Sequence, residues 1–263
     1  MSQQSALSRS LQIQFRVIGA LLMREVITRY SRHNIGFLWL FLEPMMFTLG
    51  VTALWSFAGG HNFTNIPIAA FALTGYSSVL LWRNMPNRCS KAIEPNLALM
   101  YHRNVKVVDI FAARLILEVA GATASFIALG IIFTAIGWIK PPEDILKIMF
   151  AWAMLAWFGS ALALLIGALS ERSEIVEKLW HPASYLLFPL SGAAFMVGWL
   201  PDNAQKFLLL LPMVHGVELL REGYFGSMVH AYYDMAYMAV FNLCLTLLGL
   251  SQVRVISRTV IPE

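Results

Sequence analysis

Charge is sparse in three long stretches of this chain, residues 35–82, 115–169 and 179–253. A water-soluble domain does not carry apolar runs of that length, and the rest of the composition agrees: 58% of residues are hydrophobic, 13% are charged, and the mean hydropathy is +0.65. The runs are continuous rather than alternating, which argues for helices and against an outer-membrane barrel. An apolar window of about 19 residues marks six candidate spans, roughly 35–57, 66–83, 113–137, 146–169, 179–198 and 231–253. Pro182 and Pro189 interrupt the fifth. The expected fold is an all-α polytopic membrane domain over 1–263, with six transmembrane helices. No secretory signal is evident in the first twenty residues, so insertion through the first span is expected.

The segments between spans alternate in basic content. Arg9, Arg16, Arg24, Arg29 and Arg32 precede the first span, and Arg83, Arg88, Lys91, Arg103 and Lys106 lie between the second and third. Arg172, Lys178, Arg254 and Arg258 fall on the same side, which gives fourteen cations against four (Lys140, Lys147, Lys206 and Arg221) on the other. The positive-inside rule then places both termini in the cytoplasm.

Two segments outside the spans have their own character. Residues 1–34 hold a basic helix over 9–30, with Leu11, Phe15, Ile18, Leu22 and Val26 at helical spacing and Arg9, Gln12 and Arg16 toward the other side. That pattern suits an interfacial helix, either a plain anchor or one that also grips a partner or anionic lipid. Residues 199–230 have apolar runs too short to span a bilayer, broken by prolines and glycines. Re-entrant or interfacial helices on the external side fit them, followed by the last span and tail over 231–263.

Ionisable residues within apolar surroundings are costly and mark pathways or interfaces. Glu43 lies eight residues into the first span if that begins at Ile35, about 12 Å along a helix and close to the midplane. Pro44 beside it kinks the helix. Glu43 is then either protonated or paired with a donor from another helix. Arg114 and Glu118, four apart, are placed to neutralise each other near the start of the third span. The loop over 83–109 has five basic residues against Glu94 and Asp109, with a turn at Glu94-Pro95-Asn96, and suits docking to a partner or to phosphates.

No catalytic or metal-binding set emerges. His33, His61, His102, His181, His215 and His230 are scattered, Cys89 and Cys244 fall on different elements, and HExxH and GxSxG are missing. Walker A is missing too, so transport driven by ATP requires an ATPase on another chain.

Three stretches carry a resemblance. LLMREVITRYSRHNIGFLWLFLEPM resembles the N-terminal signature of type-2 ABC transporter permeases that export polysaccharides, capsular ones above all. NLALMYHRNVKVVDIFAARLILE resembles that family's cytoplasmic approach to the third span. FPLSGAAFMVGWLP, followed by LLPMVHGVELLREGYFG, is similar to its external hairpin. The resemblance implies a homodimer of six-span subunits, each bound to a cytoplasmic ABC ATPase that holds the ATP and Mg, with no cofactor in this chain. It also implies a lipid-linked acidic polysaccharide as cargo, moved across a bacterial inner membrane. A periplasmic co-polymerase-type protein and an outer-membrane export channel would be further partners, and no nucleic acid is involved.

By the same analogy, Arg24, Glu25, Lys91, Glu94, Asn96 and Arg172 form the ATPase docking surface. Arg24, Arg29, Arg32, Arg88 and Arg103 line an entrance for the anionic head of the cargo, with Trp39 and Tyr76 available to stack on sugars. Export of O-antigen or teichoic acid by the same architecture is the alternative within transporters. A membrane-embedded glycosyl- or acyltransferase would need reactive groups that the loops lack. A proton-driven carrier would need repeated halves with broken helices.

Overall fold

The computed structural model describes residues 6–30, 36–57, 66–100 and 105–260. All regular structure among them is helical. The order is α1 (Ala6–Tyr30), α2 (Gly36–Phe57), α3 (Ile68–Cys89), the single turn α4 (Leu97–Met100), α5 (Val107–Ala135), α6 (Ile145–Arg172), α7 (Glu174–Leu190), α8 (Asp202–Leu208), α9 (Pro212–Phe225) and α10 (Met235–Val260). Among the described residues, α5, α6 and α10 are both long and apolar enough to cross a membrane. α2 and α3 have 22 residues each, about 33 Å of helix and the thickness of a hydrocarbon core.

The helix ends depart from the apolar windows for local reasons. α5 begins at Val107, ahead of the window at 113, because Asp109 accepts a hydrogen bond from the Lys106 N–H at 2.9 Å and closes its first turn. α6 is capped in the reciprocal way, with the carboxylate of the N-cap residue Asp144 accepting from Lys147 N at 3.0 Å. α3 continues to Cys89, through Pro86. The fifth window, 179–198, is displaced most. α7 starts at Glu174, runs through Pro182 and Pro189, and stops at Leu190. Gly192, at φ +83°, turns the chain out of the helix there.

α6 is the centre of the packing, with α3, α9 and α10 around it. In lipid there is little hydrophobic drive between helices, so close backbone approach must supply the attraction. Gly159, Ala163 and Gly167 recur every fourth residue on α6 and make that approach to α3 possible. A Cβ at Gly159 would lie 2.7 Å from Trp82 Cα, and one at Gly167 would lie 2.9 Å from the Cys89 carbonyl oxygen. Gly216 plays the same part where α9 meets Leu155 of α6.

The segment between α7 and α10 forms a turn at Val197–Trp199 and the short helices α8 and α9, of 7 and 14 residues. α9 is almost wholly buried and is tied to the α5–α6 connection. Tyr224 Oη donates to the Lys140 carbonyl and Asp144 N donates to the Gly223 carbonyl, both at 2.8 Å. Lys147 meets Glu222 at 2.7 Å.

Candidate functional site

A seam of polar and charged side chains joins α1, α2, α3 and α5 near the C-terminal end of α3. Gln14 of α1 donates to the Asp109 carboxylate, which is buried and also caps α5. About three turns further along α1 and one and a half along α5, Glu25 Oε1 accepts from Arg114 Nε at 2.7 Å. Arg114 Nη1 also donates to the Arg88 carbonyl at 2.6 Å. The Arg88 guanidinium lies between two carboxylates, with Nη2 3.4 Å from Glu43 Oε2 and Nε 3.4 Å from Glu118 Oε1. A single row of ion pairs thus runs from the N-terminal helix to α2.

This arrangement corrects one expectation. Among the described residues, Arg114 pairs with Glu25 and Glu118 with Arg88, rather than with each other. The cause is that Glu25 and Arg88 approach from α1 and α3, and these partners allow charge-assisted contacts across helices. Glu43 of α2 reaches Arg88 in the last turn of α3 and shares a small cavity with Leu80, Asn84 and Gly121. Arg88 of α3 is thus a donor from another helix, 3.4 Å from the Glu43 carboxylate.

Above the seam lies a cleft of about 410 Å³, lined by Arg24, Glu25, Arg88, Asn96 and Arg114 among others. Arg24 is engaged within the protein: Nη1 donates to Asn96 Oδ1 at 2.6 Å and Nη2 reaches the Pro95 carbonyl at 3.4 Å. Asn96, expected on a docking surface, is buried. It donates to the Ala92 carbonyl at 2.7 Å and holds the turn together from inside. Its neighbours Glu94, Pro95 and Leu97 form the exposed face of that turn. Arg88 keeps 39% of its side chain exposed, against 12% for Arg114.

The same turn is clamped from the other side. Lys91 meets Glu177 of α7 at 3.0 Å, a contact that raises the Lys91 pKa through the hydrogen bond to that carboxylate. Ile93 N donates to Glu171 of α6 at 2.7 Å, and Lys91 N to Ser170 Oγ at 3.3 Å. Arg172 points elsewhere, donating to Gln252 of α10 at 2.8 Å. The connection after α3 is therefore gripped by α1, α6 and α7 together.

Tyr76 is 5% exposed, set among Phe47, Trp55 and Phe188 with ring centroids 5.6–6.1 Å away. The structure gives it a packing role within this chain. The side chains of Arg29 and Trp39, and residues Arg32 and Arg103, lie outside the described residues. In α1, the face that docks on α5 carries Gln14, Val17, Leu21, Arg24 and Glu25. Leu11 and Phe15 of the expected apolar stripe stand on the surface.

Sequence reasoning missed the buried polar side chains of α9. Glu218 accepts from Val197 N at 3.0 Å and from Tyr232 N at 3.1 Å. Arg221 donates to the carbonyls of Gly192 at 2.6 Å and Ala193 at 2.7 Å, and to that of Phe195, while its guanidinium lies 4.0 Å from the centre of the Phe71 ring. His215 Nε2 bonds the Leu209 carbonyl and Nδ1 accepts from Asp234 N, both at 2.8 Å. The signal was present: Glu and Arg three apart inside an apolar run are rarely buried unless partnered.

Comparison with known proteins agrees with this architecture. The sequence pattern of the family described as ABC-2 type transporter matches residues 16–225. The chain is 44% identical to the capsule polysaccharide export inner-membrane protein BexB of Haemophilus influenzae, over 99% of this chain and 98% of that protein. It is 46% identical to the capsule polysaccharide export inner-membrane protein CtrC of Neisseria meningitidis serogroup B, over 97% and 96%. Similarity to the polysialic acid transport protein KpsM of Escherichia coli is 26% over 92% and 94%. With most of its length matched by the family pattern and close relatives aligned end to end, the chain belongs to the ABC-2 type transporter family.

Proposed function

We propose that this chain is the permease subunit of an ATP-driven exporter that moves lipid-linked capsular polysaccharide across the bacterial inner membrane. The observation that carries the proposal is near full-length similarity, at 44% and 46% identity, to inner-membrane proteins named for capsule polysaccharide export. In this reading α2, α3, α5, α6, α7 and α10 are six spans, both termini are cytoplasmic, and α8 and α9 form a hairpin on the external side. The basic residues, fourteen against four, support that orientation. Two subunits enclose the path, and each carries a cytoplasmic ATPase that holds ATP and Mg. A periplasmic co-polymerase-type protein and an outer-membrane channel continue the route.

The turn after α3 is the contact through which the ATPase acts. Its exposed face, Glu94, Pro95 and Leu97, meets the ATPase. Its inner face passes the motion on through Arg24–Asn96 to α1, Ile93–Glu171 to α6 and Lys91–Glu177 to α7. Three of these bonds have a charged partner and a length of 2.6–3.0 Å, so the turn moves with the helices and not independently. Arg88 offers its exposed guanidinium to the phosphate of the lipid-linked cargo as it enters the cleft.

Deleting the gene in its native strain tests the function. Cytoplasmic accumulation of capsule polymer, together with an ATPase that co-purifies in equal amount with the tagged chain, is the expected result. Normal surface capsule in the deletion strain would end the proposal.

A further inference from the structure

At the opposite end of α3 from the charged seam lies a second cleft, of about 350 Å³. Phe71, beside it, is seventeen residues from Arg88, about 25 Å along the helix. The cleft is lined by Met196, Gly198, Trp199, Met228, His230 and Tyr232 among others, and no charged side chain contributes to it. Trp199 and Tyr232 keep 46% and 37% of their surface exposed.

Its walls are held from within. The two oxygens of the buried Glu218 carboxylate grip one wall each, Val197 N on the side of Trp199 and Tyr232 N on the other. The Trp199 ring is stacked on Phe71 at 5.4 Å and 16°, and Phe71 is covered in turn by the buried guanidinium of Arg221. His230 meets Tyr232 edge to face at 5.0 Å. Buried ionic groups thus fix the geometry of a neutral, aromatic surface, which is an arrangement suited to a ligand and not needed for a lipid anchor.

We propose that this cleft is a carbohydrate subsite that takes one or two sugar rings of the polymer on the external side. The proposal rests on the export reading above and adds a place where the glycan is touched. Sugar rings present C–H groups on their faces, which pack on the negative face of an aromatic ring, and hydroxyls at their edges. Trp199 supplies the face, and the Tyr232 hydroxyl and His230 ring nitrogens supply edge partners. The size fits the lower range of small-ligand pockets. With no cation in the lining, binding stays weak, as a surface that must release a moving chain requires.

The test uses the purified permease–ATPase complex in lipid nanodiscs. The probe is a set of short oligosaccharides made by mild acid hydrolysis of the capsule of the source strain. Saturation-transfer NMR should show transfer from protein to sugar ring protons. Trp199→Ala and Tyr232→Ala should each reduce it about tenfold, with assembly and ATP hydrolysis retained. Gly198→Ala should weaken it as well, because its Cβ would meet the Tyr232 ring at 3.2 Å. Transfer unchanged in both aromatic variants would overturn the subsite. So would loss of transfer only in variants that no longer assemble, or strong quenching of Trp199 by brominated acyl chains that the oligosaccharides fail to relieve. Capsule in the gene-deletion strain reports separately on the export reading, so the two failures are distinguishable.

Discussion

Glu25 and Arg114, 89 positions apart in the chain, are joined Oε1 to Nε at 2.7 Å with only 14% and 12% of their side chains exposed. The contact fixes the N-terminal helix on α5 and hence on the rest of the bundle. Arg114 also serves the Arg88 carbonyl, so the two partners are not equivalent. Arg114→Met removes the donor that joins the Glu25 carboxylate and the Arg88 carbonyl and should cost about 2–4 kcal/mol. Glu25→Gln keeps an acceptor for Arg114 and should cost about 1 kcal/mol. Thermal melting in detergent, with trypsin cleavage near α1 as a second readout, gives the order of the two variants.

Arg24 and Asn96 hold the turn after α3 against α1. Asn96→Ala removes both the acceptor for Arg24 and the bond to the Ala92 carbonyl. Stability should fall by about 1–3 kcal/mol. In the purified complex, ATP hydrolysis should continue while polymer export drops. Asn96→Asp keeps the acceptor and adds a charge opposite Arg24, so it should retain more export than the alanine variant. Equal export from both would show that the turn works without this contact.

The apolar periodicity made the helices legible, because spans announce themselves by length and by the lack of charge. Their ends were less so. The start of α5 at Val107 depends on Asp109 reaching back to Lys106, and the stop of α7 at Leu190 depends on the turn at Gly192, which Arg221 holds from 29 positions away. The seam was half visible. Glu43, Arg114 and Glu118 stood out as ions in apolar runs, but their partners come from other helices, and a sequence shows only neighbours along one helix. The family resemblance puts Asn96 on a docking surface, and nothing in the sequence shows which side chain of the Glu94-Pro95-Asn96 turn points inward. The Asn96 carboxamide is instead the internal brace of that turn.

Glycines separate packing from flexibility in a way that stability measurements can resolve. A Cβ on Gly159 would fall 2.7 Å from the backbone of Trp82, which cannot yield without moving α3. Gly159→Ala should therefore destabilise by about 1–3 kcal/mol. Gly19, in the middle of α1, has nothing within 4 Å of its added Cβ. There the same change should stabilise by about 0.5–1 kcal/mol through the gain in helix propensity.

His215 gives the region between α7 and α10 a dependence on pH. Its Nδ1 accepts from Asp234 N and its Nε2 faces the Leu209 carbonyl, so the neutral ring with hydrogen on Nε2 satisfies both bonds. Burial lowers its pKa below the usual 6.5, against smaller opposing effects of the Leu209 bond and the Asp234 charge. Above about pH 6.5 the ring is neutral in folded and unfolded states alike, and the contribution is intact. As pH falls through that value the unfolded chain takes up the proton first, and stability declines until the folded-state pKa is passed. Melting temperatures of the complex between pH 7.5 and 5 should fall more steeply for the wild type than for His215→Gln, which has no proton to gain. Parallel slopes would mean that His215 titrates alike in both states and that its burial has no effect on the acid response.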